Sequence, residues 1–399
     1  MDKVIKQKMK TTSIGLIPED WDAKSLSQIG VFSKGKGITR ANAQSGIIPC
    51  VRYGEIYTSH NDYIRTFYSH ISPEVAATAT MLKKGDVLFA GSGETKEEIG
   101  KAVAFLGDEE AYAGGDIIIL SPNEGASSKY LGYVLNAATA VNQKASMGQG
   151  DAVVHIHAKE LSDVVIPFPK LEEQEKIADA LSGVDDMIGA LDEAIVKKRQ
   201  IKEGLMQQLL TGKTRLPGFS GERRSIELCS IASITIGEFV HQKKMNPDGL
   251  YPVYNGGRTF TGFYDDFNNS ANKIVMSARG LAGFVNKVER PYWAGNSSYS
   301  IDIKDPNVDW VFVYYFMKYH ESEFTDNQQK GGGIPAVNKN QVEEFVVQLP
   351  IELAEQHAIS RALDSIDQEI ELLLSKQKKC YSLKQGMMQE LLTGKTRIV

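Results

Sequence analysis

The heptapeptide Leu-Leu-Thr-Gly-Lys-Thr-Arg occurs twice, at 209–215 and 391–397, so the chain repeats itself at an offset of 182 residues. Carried back without a gap, that offset aligns Glu173-Gln174 with Glu355-Gln356, Ile177 with Ile359, Ala180-Leu181 with Ala362-Leu363, and Asp185 with Asp367. Ile188, Leu191, Lys202, Gly204, Met206 and Gln207 also find identical partners. Roughly twenty of about 46 positions match, which marks a duplication. Whatever this chain folds into must use one element twice.

Each copy reads as a long helix. Ile177, Leu181, Val184, Ile188, Leu191 and Ile195 step by four and three residues in alternation, an a/d seam that faces a partner helix. Ile359, Leu363, Ile366, Ile370 and Leu373 keep the same phase. Polar Lys198, Lys202, Gln377 and Lys384 interrupt the second half of the seam; Leu205 and Leu209, with Met387 and Leu391, restore it. Pro169 and Pro350 stand before the helices, and Gly212 and Gly394 follow their Leu-Leu ends. A helix of ~38 residues is ~57 Å long. Two helices with matching seams most simply pack on each other.

Two larger segments, 1–165 and 217–349, alternate with the helical regions 166–216 and 350–399. Both hold short apolar runs separated by Gly, Asn and Ser, the pattern of short strands and loops. Lys84-Gly-Asp-Val-Leu-Phe-Ala-Gly-Ser-Gly93 resembles Asn272-Lys-Ile-Val-Met-Ser-Ala-Arg-Gly280. Near each segment's end, Gln-Lys precedes a glycine cluster: Gln143-Lys144 with Gly148 and Gly150, and Gln329-Lys330 with Gly331, Gly332 and Gly333.

Charge limits the reading. The chain carries a net −5, and none of its four segments is basic overall. Any binding of a polyanion must come from local clustering. Such clusters exist: Lys24, Lys34, Lys36, Arg40 and Arg52 lie between Asp22 and Glu55, and Lys273, Arg279 and Lys287 between Asp266 and Glu289, with no acid intervening. The apolar runs are too short to span a membrane, the N-terminal stretch has no signal-peptide core, and Cys50, Cys229 and Cys380 form no pair with metal-site or disulfide spacing. These features lead to the expectation of a cytoplasmic protein.

The full length of the chain resembles the specificity subunits of type I restriction-modification systems. The resemblance rests on Ile166-Pro-Phe-Pro-Lys-Leu-Glu-Glu-Gln174, on the Leu-Leu-Thr-Gly endings, on Gly85-Asp-Val-Leu-Phe89, and on the order of segments. Leu349-Pro-Ile-Glu-Leu-Ala-Glu-Gln356 departs from the first copy, with a single proline one place earlier. The resemblance implies an α+β fold with a pseudo-twofold repeat. Two mixed α/β target-recognition domains alternate with two long helices that pair as an antiparallel coiled coil. It further implies a non-catalytic subunit whose variable domains each read half of a bipartite site on double-stranded DNA. The helices would set the spacing and dock two methyltransferase subunits, which bind the S-adenosylmethionine that this chain does not. Restriction subunits would complete the nuclease.

Base edges are read by Arg or Lys at guanine and by Asn or Gln at adenine, whereas phosphates take cations, hydroxyls and backbone N–H groups. On those grounds the first domain offers Lys34, Lys36, Arg40, Arg52, Ser92 and Lys96, with Lys144, Ser146 and Gln149 at the glycine loop. The second offers Gln242, Lys243, Lys244, Asn255, Arg258, Arg279, Gln329 and Lys330. Tyr53 and Tyr254 are suited to stack on bases or to pack. For partner docking, the repeated non-seam residues Lys202, Gln207, Lys213 and Arg215 stand out, with Lys384, Gln389, Lys395 and Arg397.

Two other classes of function, an enzyme and a protein-binding scaffold, compete with DNA recognition. Phe89-Ala-Gly-Ser-Gly93 has the F-x-G-x-G pattern of S-adenosylmethionine-binding strands, but no Pro-Pro pair exists to supply a methyltransferase catalytic box. Gly-Lys-Thr at 212–214 and 394–396 ends helices and lacks the upstream glycine of a phosphate-binding loop. His155-x-His157 has no third ligand nearby and reads better as part of a strand pair. The third class, a scaffold whose variable domains bind proteins, lacks a specific feature in its favour.

Overall fold

The computed structural model of the chain describes residues 8–150, 153–326 and 335–398. Two compact units emerge: Met1–Ala190 with Gln377–Val399, and Leu191–Lys376. Each unit therefore combines one variable segment with one part of each long helix.

In the first unit, a four-stranded antiparallel sheet runs in the order Ala102–Ala104, Val87–Ala90, Ile117–Pro122, Gly30–Lys34. Its central strands are unbroken apolar runs because both faces are covered. Val87, Phe89, Ile118 and Leu120 point into one core, together with Trp21, Tyr130, Tyr133 and Ile177. Leu88, Ala90, Ile117 and Ile119 face a second core with Val51 and Ile56. The split follows from the two-residue period of a strand. A second sheet has the order Ser69–Ile71, Ile48–Val51, Tyr112–Ala113, Thr80–Met81, in which Ile48–Val51 and Tyr112–Ala113 run parallel.

The second unit reproduces this plan with different residues. Its main sheet is ordered Ala232–Ile236, Ser298–Ile303, Lys273–Ser277, Val285–Val288. Tyr251–Tyr254 again runs parallel to a short neighbouring strand, Trp293–Ala294. Lys273–Ser277 is the structural counterpart of Val87–Ala90, as the resemblance of 84–93 to 272–280 anticipates. Each strand is entered through a left-handed residue, Gly85 at φ 94° and Asn272 at φ 62°.

The two long helices span Leu171–Leu210 and Leu353–Leu391, 40 and 39 residues. They pair antiparallel. In the first unit Leu391 and Leu392 pack with Ile177, Ala178 and Leu181. In the second, Met206, Leu209 and Leu210 pack with Ile359 and Leu363. Each fully buried Leu or Ile of this seam contributes about 2 kcal/mol by removal from water. Both helices stop where a left-handed glycine follows, Gly212 at φ 73° and Gly394 at φ 68°, a conformation glycine adopts without strain. The three lysine interruptions of the seam, Lys198, Lys202 and Lys384, form ion pairs between the helices. Lys202 reaches Asp367 at 2.6 Å and Lys198 pairs with Glu369, while Lys384 reaches Asp185 at 2.7 Å.

The 182-residue offset also governs these polar contacts. Tyr133 donates to Asp185 and Tyr315 to Asp367, at 2.6 and 2.7 Å. The Gln174 amide accepts from the Ser127 N–H and donates to the Pro169 carbonyl; Gln356 does the same with Asp309 and Pro350. Arg215 forks onto Glu355, and Arg397 onto Glu173.

Candidate nucleic-acid interface

The candidate site is built where strands leave the sheets. Gly30–Lys34 and Val87–Ala90 both lie antiparallel to Ile117–Pro122, with Lys34 opposite Ile118 and Ala90 opposite Ile117. Their exits therefore open at one end of the sheet. The parallel strand Ile48–Val51 exits beside them. Main-chain hydrogen bonds tie all three exits to the turn that enters Ile117–Pro122: Gly35 N–H to Ile117 O (2.9 Å), Gly91 N–H to Asp116 O (2.8 Å) and Gly114 N–H to Val51 O (2.9 Å). A Cβ on Gly35 would lie 2.1 Å from the Gly114 carbonyl, so only glycine lets these two turns meet.

The second unit has the same frame. Gly237 N–H donates to Ser298 O (3.0 Å), Ala278 N–H to Ser297 O (2.8 Å) and Gly295 N–H to Tyr254 O (2.8 Å). A Cβ on Gly237 would lie 2.2 Å from the Ala294 carbonyl. By these bonds Gly35 corresponds to Gly237, Gly91 to Ala278, Ser92 to Arg279, and Arg52 to Asn255. The segment after each glycine loop closes the frame: Ile156 N–H donates to Gly91 O (3.0 Å) and Val337 N–H to Ala278 O (2.9 Å). His155 thus belongs to the strand Val154–His155, paired with Ser92–Gly93, and Arg279 is bridged to Ala336.

The frame gathers most of the residues singled out from sequence. Lys34, Lys36, Arg40 and Lys96 are exposed around the first frame, as are Ser146 and Gln149 beside it. The Ser146 hydroxyl is turned back onto the Gln143 carbonyl at 2.7 Å. Arg258 and Arg279 are exposed at the second frame, with Gln242, Lys243 and Lys244 on an exposed 3-10 turn. Arg258 lies 5.1 Å over the Phe284 ring. Ser92 is largely buried, its hydroxyl 3.0 Å from His155 Nδ1. Asn255 accepts the Ser297 N–H at 3.1 Å. Tyr53 is exposed, whereas Tyr254 packs edge-on against Tyr292. Gln329 and Lys330 lie outside the described residues.

Lys144 requires a correction. The expectation that it contacts DNA does not survive its placement, because the side chain is fully buried and Nζ donates to the carbonyls of Gly100 (2.6 Å) and Leu135 (2.8 Å). Its role is to satisfy two main-chain acceptors under the glycine loop. Burial pushes this ammonium down from its usual 10.5 to about 7. The unfolded chain keeps the proton to higher pH than the folded one, so folding stability contributed by this group rises as pH climbs from about 7 toward 10.5. Lys144→Met is expected to flatten that rise in denaturant unfolding curves measured at several pH values. Parallel pH slopes for the two proteins would rule out the effect.

The docking candidates divide in two. Gln207, Lys213, Gln389 and Lys395 are exposed. Lys202, Lys384, Arg215 and Arg397 are instead engaged with carboxylates of their own unit. Four of those carboxylates, Glu173, Asp185, Glu355 and Asp367, stand at the same 182-residue offset as the cations; what the sequence did not reveal was that they pair with these cations. Tyr133 and Tyr315 also obey that offset, so carrying the alignment further upstream would have found the clusters.

Duplicated frames, each carrying exposed cations and amides on a rigid main-chain support, define a paired recognition scaffold. The family model for the type I restriction modification DNA specificity domain matches residues 18–199 and again 224–379, and the chain belongs to that family. It is a non-catalytic DNA-recognition subunit, the specificity subunit of a type I restriction-modification system. Among its relatives, the putative type I restriction enzyme MjaX specificity subunit of Methanocaldococcus jannaschii is 27% identical, over 98% of this chain and 97% of the relative. The MjaVIII specificity subunit of the same organism is 23% identical, over 96% and 94%. The crystal structure of a type I restriction-modification S subunit from M. genitalium shares the fold, with a TM-score of 0.71 at 16% identity over 97% of this chain and 98% of that one. Among the described residues, no helix is long and apolar enough to cross a membrane.

Proposed function

We propose that each unit reads one half of a split target on double-stranded DNA, that the paired helices set the number of unread base pairs between the halves, and that their outer faces dock two methyltransferase subunits. Those subunits bring S-adenosylmethionine and modify adenines in each half; restriction subunits join the same assembly in the cytoplasm. The observation that carries this reading is the pair of equivalent frames, Gly35–Gly91–Gly114 and Gly237–Ala278–Gly295, held by the same hydrogen bonds and bearing different side chains. One job done at two sequences needs one scaffold with two sets of readers. Both long helices contribute to both units, as a spacer must. Gln207, Lys213, Gln389 and Lys395 remain exposed for docking.

The test is a methylome. The chain is co-expressed with its cognate methyltransferase in a host free of such systems, and modified adenines are mapped. A split motif with a constant gap is the expected result; no new modification by an assembled complex would overturn the proposal. Deleting seven residues from each helix in matching register removes about 10 Å, or about three base pairs of spacer. An unchanged gap in the mapped motif would refute the spacer role.

A further inference from the structure

Among the cations of the first frame, Arg52 is held differently from the rest. Lys34, Lys36, Arg40 and Lys96 are exposed, and among the described residues none makes a side-chain hydrogen bond or ion pair. Arg52 stands directly after strand Ile48–Val51, and its guanidinium is gripped along one edge. Nε donates to Glu55 Oε1 and to Ser69 Oγ, each at 3.3 Å, and Nη2 donates to Glu55 Oε1 at 3.2 Å. The other Glu55 oxygen accepts the Arg52 backbone N–H at 3.1 Å. Glu55 and Ser69 are 5% and 3% exposed, yet 33% of the Arg52 side chain stays accessible. Nη1 makes no hydrogen bond among the described residues.

A buried carboxylate thus fixes a long side chain while leaving the end of its fork unclaimed. Pinning an arginine in advance removes the rotamer entropy it would otherwise lose on binding. The two hydrogens at the end of the fork match the O6 and N7 acceptors of guanine in the major groove, a geometry that lysine does not offer. The same place in the second frame is held by Asn255, since Val51 O and Tyr254 O accept from equivalent glycines. Asn255 is also fixed by one atom, its Oδ1 accepting the Ser297 N–H. Asparagine is the side chain whose amide matches the N6 and N7 groups of adenine.

We infer that the residue following the parallel strand is a base-reading position in both units, with Arg52, buttressed by Glu55 and Ser69, reading a guanine and Asn255 reading an adenine. The inference rests on the DNA-targeting reading above and adds to it the base each residue selects.

The experiment maps methylated adenines for the complex carrying the wild-type chain, Arg52→Lys, Arg52→Gln, Glu55→Gln or Asn255→Asp. The wild-type motif is expected to contain a guanine in one half. Arg52→Lys and Arg52→Gln relax that one position about tenfold or more and leave the rest of the motif intact. Glu55→Gln relaxes the same position less, and Asn255→Asp relaxes a single adenine in the other half. Should Arg52→Gln fail to fold, Arg52→Lys and a chemical probe decide. In binding assays on duplexes with each guanine replaced in turn by 7-deazaguanine, one replacement weakens the wild-type complex about tenfold and leaves the Arg52→Lys complex indifferent. A split motif without guanine, a motif unmoved by Arg52→Lys, or equal loss at every position of the half overturns this inference alone. Absence of any split motif for the wild-type chain overturns the targeting reading and this inference with it.

Discussion

Replacing Lys384 with methionine is expected to destabilise the first unit by about 3–5 kcal/mol, because it strands two buried carboxylates. Lys384 Nζ lies 2.6 Å from Asp62 and 2.7 Å from Asp185, and the three side chains are 13%, 8% and 12% exposed. Burial opposes its charge, but the two carboxylates more than offset this and hold the ammonium above its ordinary range. Asn136 and Tyr133 donate to the outer oxygens of Asp62 and Asp185, so the cluster is satisfied only while the lysine is present. Methionine keeps most of the unbranched stem and removes the charge, leaving like charges close together in a poorly solvated site. Denaturant unfolding followed by a probe in the first unit measures the loss. Asp185→Asn placed on the Lys384→Met background should recover part of it, as coupled neighbours do. A loss below about 1 kcal/mol would show that the cluster is relieved by solvent and is not a structural pin. Lys202→Met tests the equivalent cluster of the second unit, where Asp367 is more exposed at 31% and the expected loss is smaller.

The second large effect concerns binding. Arg279→Ala should weaken the assembled complex on its duplex target by about five- to 150-fold, corresponding to about 1–3 kcal/mol for one good arginine contact. The backbone of Arg279 is fixed on both sides, by its bridge to Ala336 and by its N–H to Ser297 O, while the side chain is exposed and unpaired among the described residues. A rigid main chain carrying a free cation is the arrangement that DNA contact favours. Arg279→Lys separates the two modes of contact. If Arg279 meets a phosphate, lysine restores most of the affinity, and the alanine variant lowers the salt dependence by about one counterion. If it meets a base edge, lysine fails and one position of the second half-site relaxes. Unchanged affinity and unchanged motif in Arg279→Ala would remove Arg279 from the interface.

Much of the architecture was legible because it is periodic. The 182-residue repeat, the alternating steps of Ile177 to Ile195, and the glycines at 212 and 394 fixed the long helices, their pairing and their ends. The strand Val87–Ala90 and its counterpart Lys273–Ser277 were legible as apolar runs entered by a turn residue. Individual side-chain roles were less accessible. Lys144 and Lys96 are alike in sequence terms, each a lysine near a glycine, yet one is fully buried and the other exposed. What separates them is tertiary: the carbonyl of Gly100, 44 residues away, and that of Leu135, at the end of the preceding helix, converge on Lys144. Lys384 likewise takes its charge partner Asp62 from more than three hundred residues away. A cation announces its charge in a sequence, but its partner is chosen by the fold.

The recognition frames are held together by main-chain hydrogen bonds, from Gly35, Gly91 and Gly114 in one unit and from Gly237, Ala278 and Gly295 in the other. A consequence follows for how such a protein changes over generations. Exchanging an exposed side chain such as Lys36, Arg40 or Arg279 removes no bond that supports the frame, so new target preferences can arise by single substitutions with little penalty in stability. Where most proteins trade robustness for novelty, this one keeps its wiring in the backbone and leaves its vocabulary open to drift.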